Sequence, residues 1–371
     1  MRNRIWIIIC LILLFLAVLC ACQEEKTVLH FEAEYYLAPG EELQLDNRSR
    51  RDIQWTSSNE AVATVSDSGM VTAVNAGIAT ITAQIDRQVY SAEIEVPKIT
   101  VPQNGQNQEL LYKCVDGEEL SITFMAPTRQ VYDCAPVVLL IFGGGWQRGY
   151  PAQIINYMKT AVSGLRDRGF AVAAADYRLI SNSDRNVKTC VADLMDAAHY
   201  LAHFADILQI DANKIVPMGH SAGANLAMLV ANAPKDAFQT EGFSDPYEVL
   251  CCCGFGTVMF LYKQDLFEEV NRNYASLIDG MYSDEVARLC SPYTHIGPDN
   301  VPTLLIHGDK DELVNVQQAI LSEEKAKSTG ADLEFLLCKN GNHLLDHGSE
   351  PSLKEAMLYA VDWICRKMAS N

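Results

Sequence analysis

Residues 214–223 read Lys-Ile-Val-Pro-Met-Gly-His-Ser-Ala-Gly, and the pentapeptide Gly219-His220-Ser221-Ala222-Gly223 within them decides the fold. The apolar run before it has strand length, and the small-residue run 222–233 after it reads as a helix. Strand, G-x-S-x-G, helix is the context of a nucleophile elbow. The physics requires that spacing. The turn is so sharp that the serine backbone is strained, and only small flanking residues let strand and helix approach. The hydroxyl then stands exposed above the sheet edge. Five-residue patterns recur by chance, so the meaning of this one depends on its surroundings.

Upstream, Pro136-Val137-Val138-Leu139-Leu140-Ile141-Phe142 has the pattern of a buried strand, and Gly143-Gly144-Gly145-Trp146 follows it. Three glycines at such a point let backbone N–H groups turn toward a ligand, which is what a developing oxyanion needs. Downstream, Pro302-Thr303-Leu304-Leu305-Ile306-His307 reads as another buried strand and ends in Gly308-Asp309-Lys310-Asp311. A last strand, Leu333-Glu334-Phe335-Leu336-Leu337-Cys338, leads to Gly341-Asn342-His343. The order Ser221, Asp311, His343 is that of the α/β-hydrolases. Asp309 competes with Asp311 in one loop, and His347 competes with His343.

From about residue 110 onward the chain resembles the α/β-hydrolase esterases of the hormone-sensitive-lipase-like and BD-FAE type. The resemblance is carried by Gly143-Gly144-Gly145-Trp146, Asp176-Tyr177-Arg178-Leu179, the Ser221 pentapeptide, Ser291-Pro292, His307-Gly308-Asp309-Lys310-Asp311 and His343. It implies a mostly parallel sheet flanked by helices, with segment 261–289 forming a small cap over the pocket. It implies Ser221 as nucleophile, His343 as its base, and Asp311, the second Asp of G-D-x-D, as the group that orients the imidazole. Oxyanion donors would be the backbone N–H groups of Gly144, Gly145 and Ala222. No metal and no cofactor is implied. His307 would be a structural loop residue and His220 would pack beside the elbow. Trp146, Tyr150, Tyr177 and Phe255 are candidate pocket walls. Two departures stand out. Phe142 occupies the place of the histidine usual before the glycines, so packing must hold this loop. Pro217 interrupts the strand before the nucleophile, where it removes a ladder donor.

The N-terminal part has another character. Residues 1–21 carry Arg2 and Arg4 and then an uninterrupted apolar stretch, as a signal peptide does. They close on Leu19-Cys20-Ala21-Cys22, which resembles a bacterial lipobox with Cys22 as the lipidated residue; two acyl chains would anchor the protein stably. Residues 22–29 form a short tether. Across 30–97, Trp55-Thr56-Ser57-Ser58-Asn59, Val62-Ala63-Thr64-Val65-Ser66, Val71-Thr72-Ala73 and Ala79-Thr80-Ile81-Thr82-Ala83 alternate between Gly and Ser-Asp turns, which predicts a β-sandwich. This stretch resembles the bacterial Ig-like group 2 (BIG2) domain, a small module with a modest core, expected as a spacer or a cell-wall contact. Residues 98–107 read as a linker, and 108–371 as the α/β-hydrolase domain.

The 371 residues carry a net charge of −18, which argues against nucleic acid and against broad electrostatic membrane binding. About half are apolar, so the charge is not a sign of disorder. Twelve cysteines are many for an exported chain. Strand alternation puts Cys251 and Cys253 on one face and Cys252 on the other, as core residues. Cys114 and Cys134 flank a hairpin and could pair. His199 and His203 lie one helical turn apart without the Glu of H-E-x-x-H, which reads as packing or surface. Helices are expected at 186–204 and 353–367, and strands at 170–176 and 249–258. These features together predict a lipid-anchored serine hydrolase at the outer face of a bacterial membrane, cleaving small or carbohydrate-linked carboxylic esters through an acyl-enzyme. The competing readings are a prolyl-oligopeptidase-like peptidase and a non-catalytic cell-surface binding protein.

Overall fold

The computed structural model describes residues 29, 34–37, 39–45, 53–96, 98–115, 118–180, 185–261, 284–346 and 348–370. The leader, Cys22, most of the tether, most of the expected cap and His347 lie outside the described residues. No helix among the described residues is long and apolar enough to cross a membrane. The chain divides into two compact units, residues 1–96 and 97–371.

The first unit is all β. Its strands are β1 (Glu34–Tyr36), β2 (Glu42–Gln44), β3 (Gln54–Ser57), β4 (Ala63–Val65), β5 (Met70–Ala73), β6 (Gly77–Ile85) and β7 (Gln88–Val96). They form two sheets, ordered β1-β7-β6-β3 and β2-β5-β4. Period-2 alternation drives this arrangement. Along β6, Ala79, Ile81, Ala83 and Ile85 turn inward while the residues between them stay accessible. Ile81 and Ile94 meet Leu45, Val71 and Ala73 in one core. Trp55 lies over Gly69, where a Cβ would stand 2.6 Å from the indole. Gly69 also has a φ of +82°, so that turn accepts only glycine without strain.

The second unit is a mixed eight-stranded sheet. Its strands are β8 (Asn107–Val115), β9 (Glu118–Met125), β10 (Ala135–Ile141), β11 (Ala171–Ala175), β12 (Ile210–His220), β13 (Cys252–Phe255), β14 (Thr303–Gly308) and β15 (Leu333–Cys338). The order is β15-β14-β13-β12-β10-β11-β9-β8. Neighbours from β11 to β15 are parallel, and the β8–β9 hairpin joins antiparallel at one edge. Every residue of β10, β11, β13 and β14 is buried. Such strands need cover on both faces. The helices supply it: α1 (Pro151–Tyr157), α2 (Lys159–Arg166), α3 (Val187–His203), α4 (Ala205–Leu208), α5 (Ala222–Asn232), α6 (Asp284–Leu289), α7 (Gln317–Thr329) and α8 (Leu353–Ser370). Helix α2 packs against α8, and α3 against α5.

Three local expectations change. Strand β13 is shorter than the apolar run 249–258, because Gly256 leaves the sheet with a φ of +55°. Pro217 stays within β12, at the stretch where the ladder toward β13 is interrupted between Ile215–Val249 and Met218–Cys253. Residues 98–107 are bonded into the second unit: Gly105 N–H donates to Pro127 O, Ala126 N–H to Gln106 O, and the Arg166 guanidinium to Asn107. Cys251, Cys252 and Cys253 are buried as expected, whereas Cys114 and Cys134 are both exposed and form no disulfide.

A chain beginning at Lys98 should therefore unfold as one cooperative unit in calorimetry. One beginning at Gln108 loses two or three hydrogen bonds, each worth about 1 kcal/mol, and should melt about 5 °C lower. Equal melting temperatures would mean that residues 98–107 do not stabilise this unit.

Candidate active site

Ser221 sits at the tip between β12 and α5 with φ 58° and ψ −124°. That conformation is strained for a residue with a side chain. The surrounding backbone enforces it. A Cβ on Gly219 would lie 2.4 Å from Gly223 O, and one on Gly223 would lie 2.3 Å from Ile141 O and 2.4 Å from Phe142 O. These collisions are with backbone, so no side-chain rotation relieves them. Ser221 N–H donates to Phe255 O at 2.8 Å, and its own carbonyl accepts from Ala224 and Asn225 N–H in the first turn of α5.

Asp311 follows β14, and its carboxylate is almost fully buried. Its Oδ1 accepts from the N–H groups of Leu313 and Val314, at 2.9 and 2.8 Å. Its Oδ2 lies 2.8 Å from His343 Nδ1 and 3.1 Å from His307 Nε2. Burial alone would raise its pKa, but the hydrogen bonds from the two histidines outweigh that and hold the carboxyl well below the usual carboxylate range. The structure brings Asp311 to the His343 imidazole; Asp309 is instead tied through its N–H to Cys338 O. Gly256 lies against the same pair: a Cβ there would be 3.3 Å from His343 Cε1 and 3.6 Å from Asp311 Oδ2.

The glycine loop lies against the elbow. A Cβ on Gly143 would stand 2.6 Å from His220 O and 3.1 Å from Ser221 Cβ. Gly144 and Gly145 have φ of +113° and +65°, and Trp146 follows at +60°. Phe142 is buried and stacks on Tyr177, with ring centroids 4.3 Å apart and planes 13° from parallel. The Tyr177 hydroxyl donates to Phe142 O at 3.0 Å. Next in sequence, Arg178 pairs through Nε and Nη2 with the buried carboxylate of Asp193 on α3. Lys113 on β8 joins Asp193 and Asp196, at 2.9 and 2.6 Å. Both the ring stack and hydrogen bonds hold this loop: besides Tyr177, Ile180 N–H donates to Trp146 O at 3.0 Å.

Of the candidate pocket walls, Trp146, Tyr177 and Phe255 are buried and Tyr150 is 60% exposed. His307 belongs to β14, not to a loop, and reaches both Asp311 Oδ2 and Val314 O. Both acceptors face Nε2, so that nitrogen carries the proton. His220 does pack beside the elbow, and its Nε2 donates to His343 O at 2.9 Å. Burial, then the neighbouring His343, lowers its pKa to about 3. His199 and His203 both turn Nδ1 toward Asp245, at 2.7 and 2.8 Å. Two polar groups escaped the sequence reading. Asn225 Nδ2 donates to Val258 O and Cys290 O, and Gln318 Oε1 accepts from Met259 and Phe260 N–H, so both stems of segment 262–283 are pinned to the core.

The BD-FAE family matches residues 124–325, and the bacterial Ig-like domain (group 2) matches residues 40–96. Among solved structures, the propionate-bound thermophilic esterase Est2 of Thermogutta terrifontis is similar: TM-score 0.59, 26% identity, covering 71% of this chain and 94% of that one. The apo form of the same esterase gives a TM-score of 0.60 at 27% identity, covering 72% and 96%. Among curated proteins, a non-reducing polyketide synthase of Emericella nidulans is 25% identical over 323 residues, 65% of this chain and 13% of its own length. The protein named "Probable carboxylic ester hydrolase LipM" of Mycobacterium tuberculosis is 28% identical over 203 residues, 52% of this chain and 45% of its own. The chain thus spans less than half the length of these two curated relatives. The esterase neighbours and the family match support a carboxylic ester hydrolase with an α/β-hydrolase fold.

Because Phe142 is buried on both sides of its ring, Phe142→Ala should cost roughly 3–5 kcal/mol in chemical denaturation. Phe142→His, which can still stack on Tyr177, should lose less. An alanine variant as stable as the parent would show that the loop does not rest on this ring.

Proposed function

We propose that this chain, which belongs to the BD-FAE family, hydrolyses carboxylic esters through a serine acyl-enzyme. The observation that carries the reading is the 2.8 Å contact between His343 Nδ1 and Asp311 Oδ2, formed beside a serine held at φ 58° on an elbow. Asp311, fixed by four donors, would keep the imidazole with its proton on Nδ1, leaving Nε2 as the base. Ser221 Oγ would attack the acyl carbon as Nε2 takes its proton. The carbonyl oxygen would gain negative charge toward the N–H groups of Gly144, Gly145 and Ala222. Collapse would break the C–O bond, with the imidazolium returning its proton to the leaving alcohol. Water would then attack the acyl-serine by the same steps, releasing the acid and restoring Ser221. Losing one oxyanion donor typically costs roughly 3–4 kcal/mol of barrier stabilisation.

The acyl group is proposed to be short, on a small or carbohydrate-linked alcohol. Support comes from the Thermogutta terrifontis esterase, whose structures hold propionate and butyrate. That esterase is also phosphorylated by paraoxon. The full chain should accordingly hydrolyse p-nitrophenyl acetate faster than long-chain analogues. Paraoxon should block it with one diethylphosphoryl group on Ser221, found by peptide mass spectrometry. Ser221→Ala should remove nearly all turnover and the label; a variant that keeps its rate would rule out this nucleophile.

Location is a second part of the proposal. Cys22, in the lipobox-like Leu19-Cys20-Ala21-Cys22, would carry a diacylglyceryl anchor at the outer face of a bacterial membrane, and the Ig-like unit would extend toward the cell wall. Metabolic labelling with palmitate should mark the parent and not Cys22→Ala. Label persisting in that variant would exclude Cys22 as the modified residue.

A further inference from the structure

The imidazole of His343 stands on a turn that follows the last strand of the sheet, on a different part of the chain from Ser221. The turn is tight. Asn342 Oδ1 accepts from the N–H groups of Leu344 and Asp346, both at 3.2 Å, and Leu345 takes a φ of +54°. Leu344 is exposed, whereas Leu345 is buried against Gly341. Two side chains from elsewhere reach consecutive carbonyls of this turn. His220 Nε2 lies 2.9 Å from His343 O, and the Tyr157 hydroxyl lies 3.0 Å from Leu344 O. Their rings lie 4.7 Å apart, and the His220 ring lies 4.8 Å from that of His343.

We propose that His220 and Tyr157 are positioning residues that clamp the backbone of the His343 turn and so set the distance between its imidazole and Ser221. The proposal rests on His343 being the base. The three elements it joins are the ones the reaction must hold together. His220 immediately precedes Ser221 on the elbow. Tyr157 ends α1, the helix that follows the glycine loop. The clamped carbonyls belong to His343 and its neighbour. A base must stand within about 2.6–3.2 Å of the proton it takes, and a misplacement of about 1 Å can cost about a hundredfold in rate. A turn held only by its own hydrogen bonds allows such displacement, whereas two external donors restrict it.

Two features set His220 apart from a second base. Its Nε2 is spent on a carbonyl, which only accepts, so that nitrogen must carry the proton. Its burial keeps the ring neutral, so it can donate without placing a positive charge beside the imidazolium that forms on His343. Tyr157 is likewise held in its protonated, donating form: burial, then Asp346 and Asp311, push its pKa well up.

The test uses the full chain with p-nitrophenyl acetate and compares His220→Leu, His220→Gln, Tyr157→Phe and the double variant His220→Leu/Tyr157→Phe. His220→Leu should lower kcat roughly 10- to 100-fold with KM within about twofold. Tyr157→Phe, which removes one oxygen, should lower kcat several-fold, and His220→Gln, which keeps a donor, should recover most of the loss. In proton NMR, the low-field Nδ1 proton of His343 should be sharp in the parent and broadened in the double variant, as the turn opens to water. If His220→Leu fails to fold, Tyr157→Phe and its NMR spectrum decide alone. Tyr157→Phe with unchanged kcat and a sharp signal would overturn the clamp. Failure of the catalytic reading is seen separately. There, Ser221→Ala or His343→Ala would keep turnover, while the NMR comparison still reports whether the turn is clamped.

Discussion

The site depends on a close approach of backbone to backbone at the elbow. Gly223 presses against the carbonyls of Ile141 and Phe142, Gly219 against Gly223, and Gly143 against His220 O, each at a distance where a Cβ would collide. Helix α5 can therefore start directly over the end of β10. Ser221 is driven into a positive φ by that closeness, and its N–H is drawn to Phe255 O on the far side. The glycine loop, which begins where β10 ends, reaches the serine for the same reason. Adding one methyl group at any of these three glycines would separate elements whose contact is the site itself.

Sheet order converts this local contact into a larger arrangement. β12, β13, β14 and β15 are adjacent and parallel, so the residues after them emerge at one end of the sheet, where α/β proteins place ligands. Ser221 follows β12, Gly256 follows β13, Asp311 follows β14 and His343 follows β15. Gly256 has no side chain, which leaves room for the His343 imidazole and the Asp311 carboxylate beside it. On the other side, support for the glycine loop runs from Phe142 to Tyr177, then through Arg178 to Asp193 and Lys113. Removing one partner of such a buried charge cluster leaves another charge uncompensated, which costs far more than the cluster gains over apolar residues. The cluster thus ties the loop after β11 to α3 and β8 in a single arrangement.

Residue type and spacing made much of this legible. A serine between two glycines after an apolar run, three glycines after another, and an Asp and a His after two more carry their chemistry in their identity. Gly256 was not legible, because a glycine after a strand looks alike whether it ends a strand or makes room for an imidazole. His220 and Tyr157 were not legible as a pair either. Both donate to backbone carbonyls, and an acceptor that every residue possesses leaves no mark in the sequence. The roles of Trp146, Tyr177 and Phe255 were not legible for a related reason: aromatic residues near a nucleophile suit a pocket wall and a loop's foundation equally well. For Tyr177, the 13° stack on Phe142 shows that it supports the glycine loop. The choice of Asp311 over Asp309 turns on the N–H groups of Leu313 and Val314, which converge on Asp311 Oδ1 because of how the chain turns after β14.

The three histidines around the acid show how one residue type can serve opposite electrostatic roles. His307 and His220 both use Nε2–H as a donor, to Asp311 and to the His343 carbonyl. A positive charge on either would oppose an imidazolium on His343, at a cost that a low local dielectric would magnify. For His220, burial removes that conflict by lowering its pKa to about 3, so it is a neutral dipole near neutral pH. Asp311 faces the opposite demand. Burial works against its charge, yet the two histidine donors more than compensate and keep it ionised into strongly acidic solution. His220 and Asp311 then both keep their state near neutral pH. In the proposed mechanism His343 Nε2 is the nitrogen that receives hydrogen from Ser221, and neither His220 nor Asp311 competes for it.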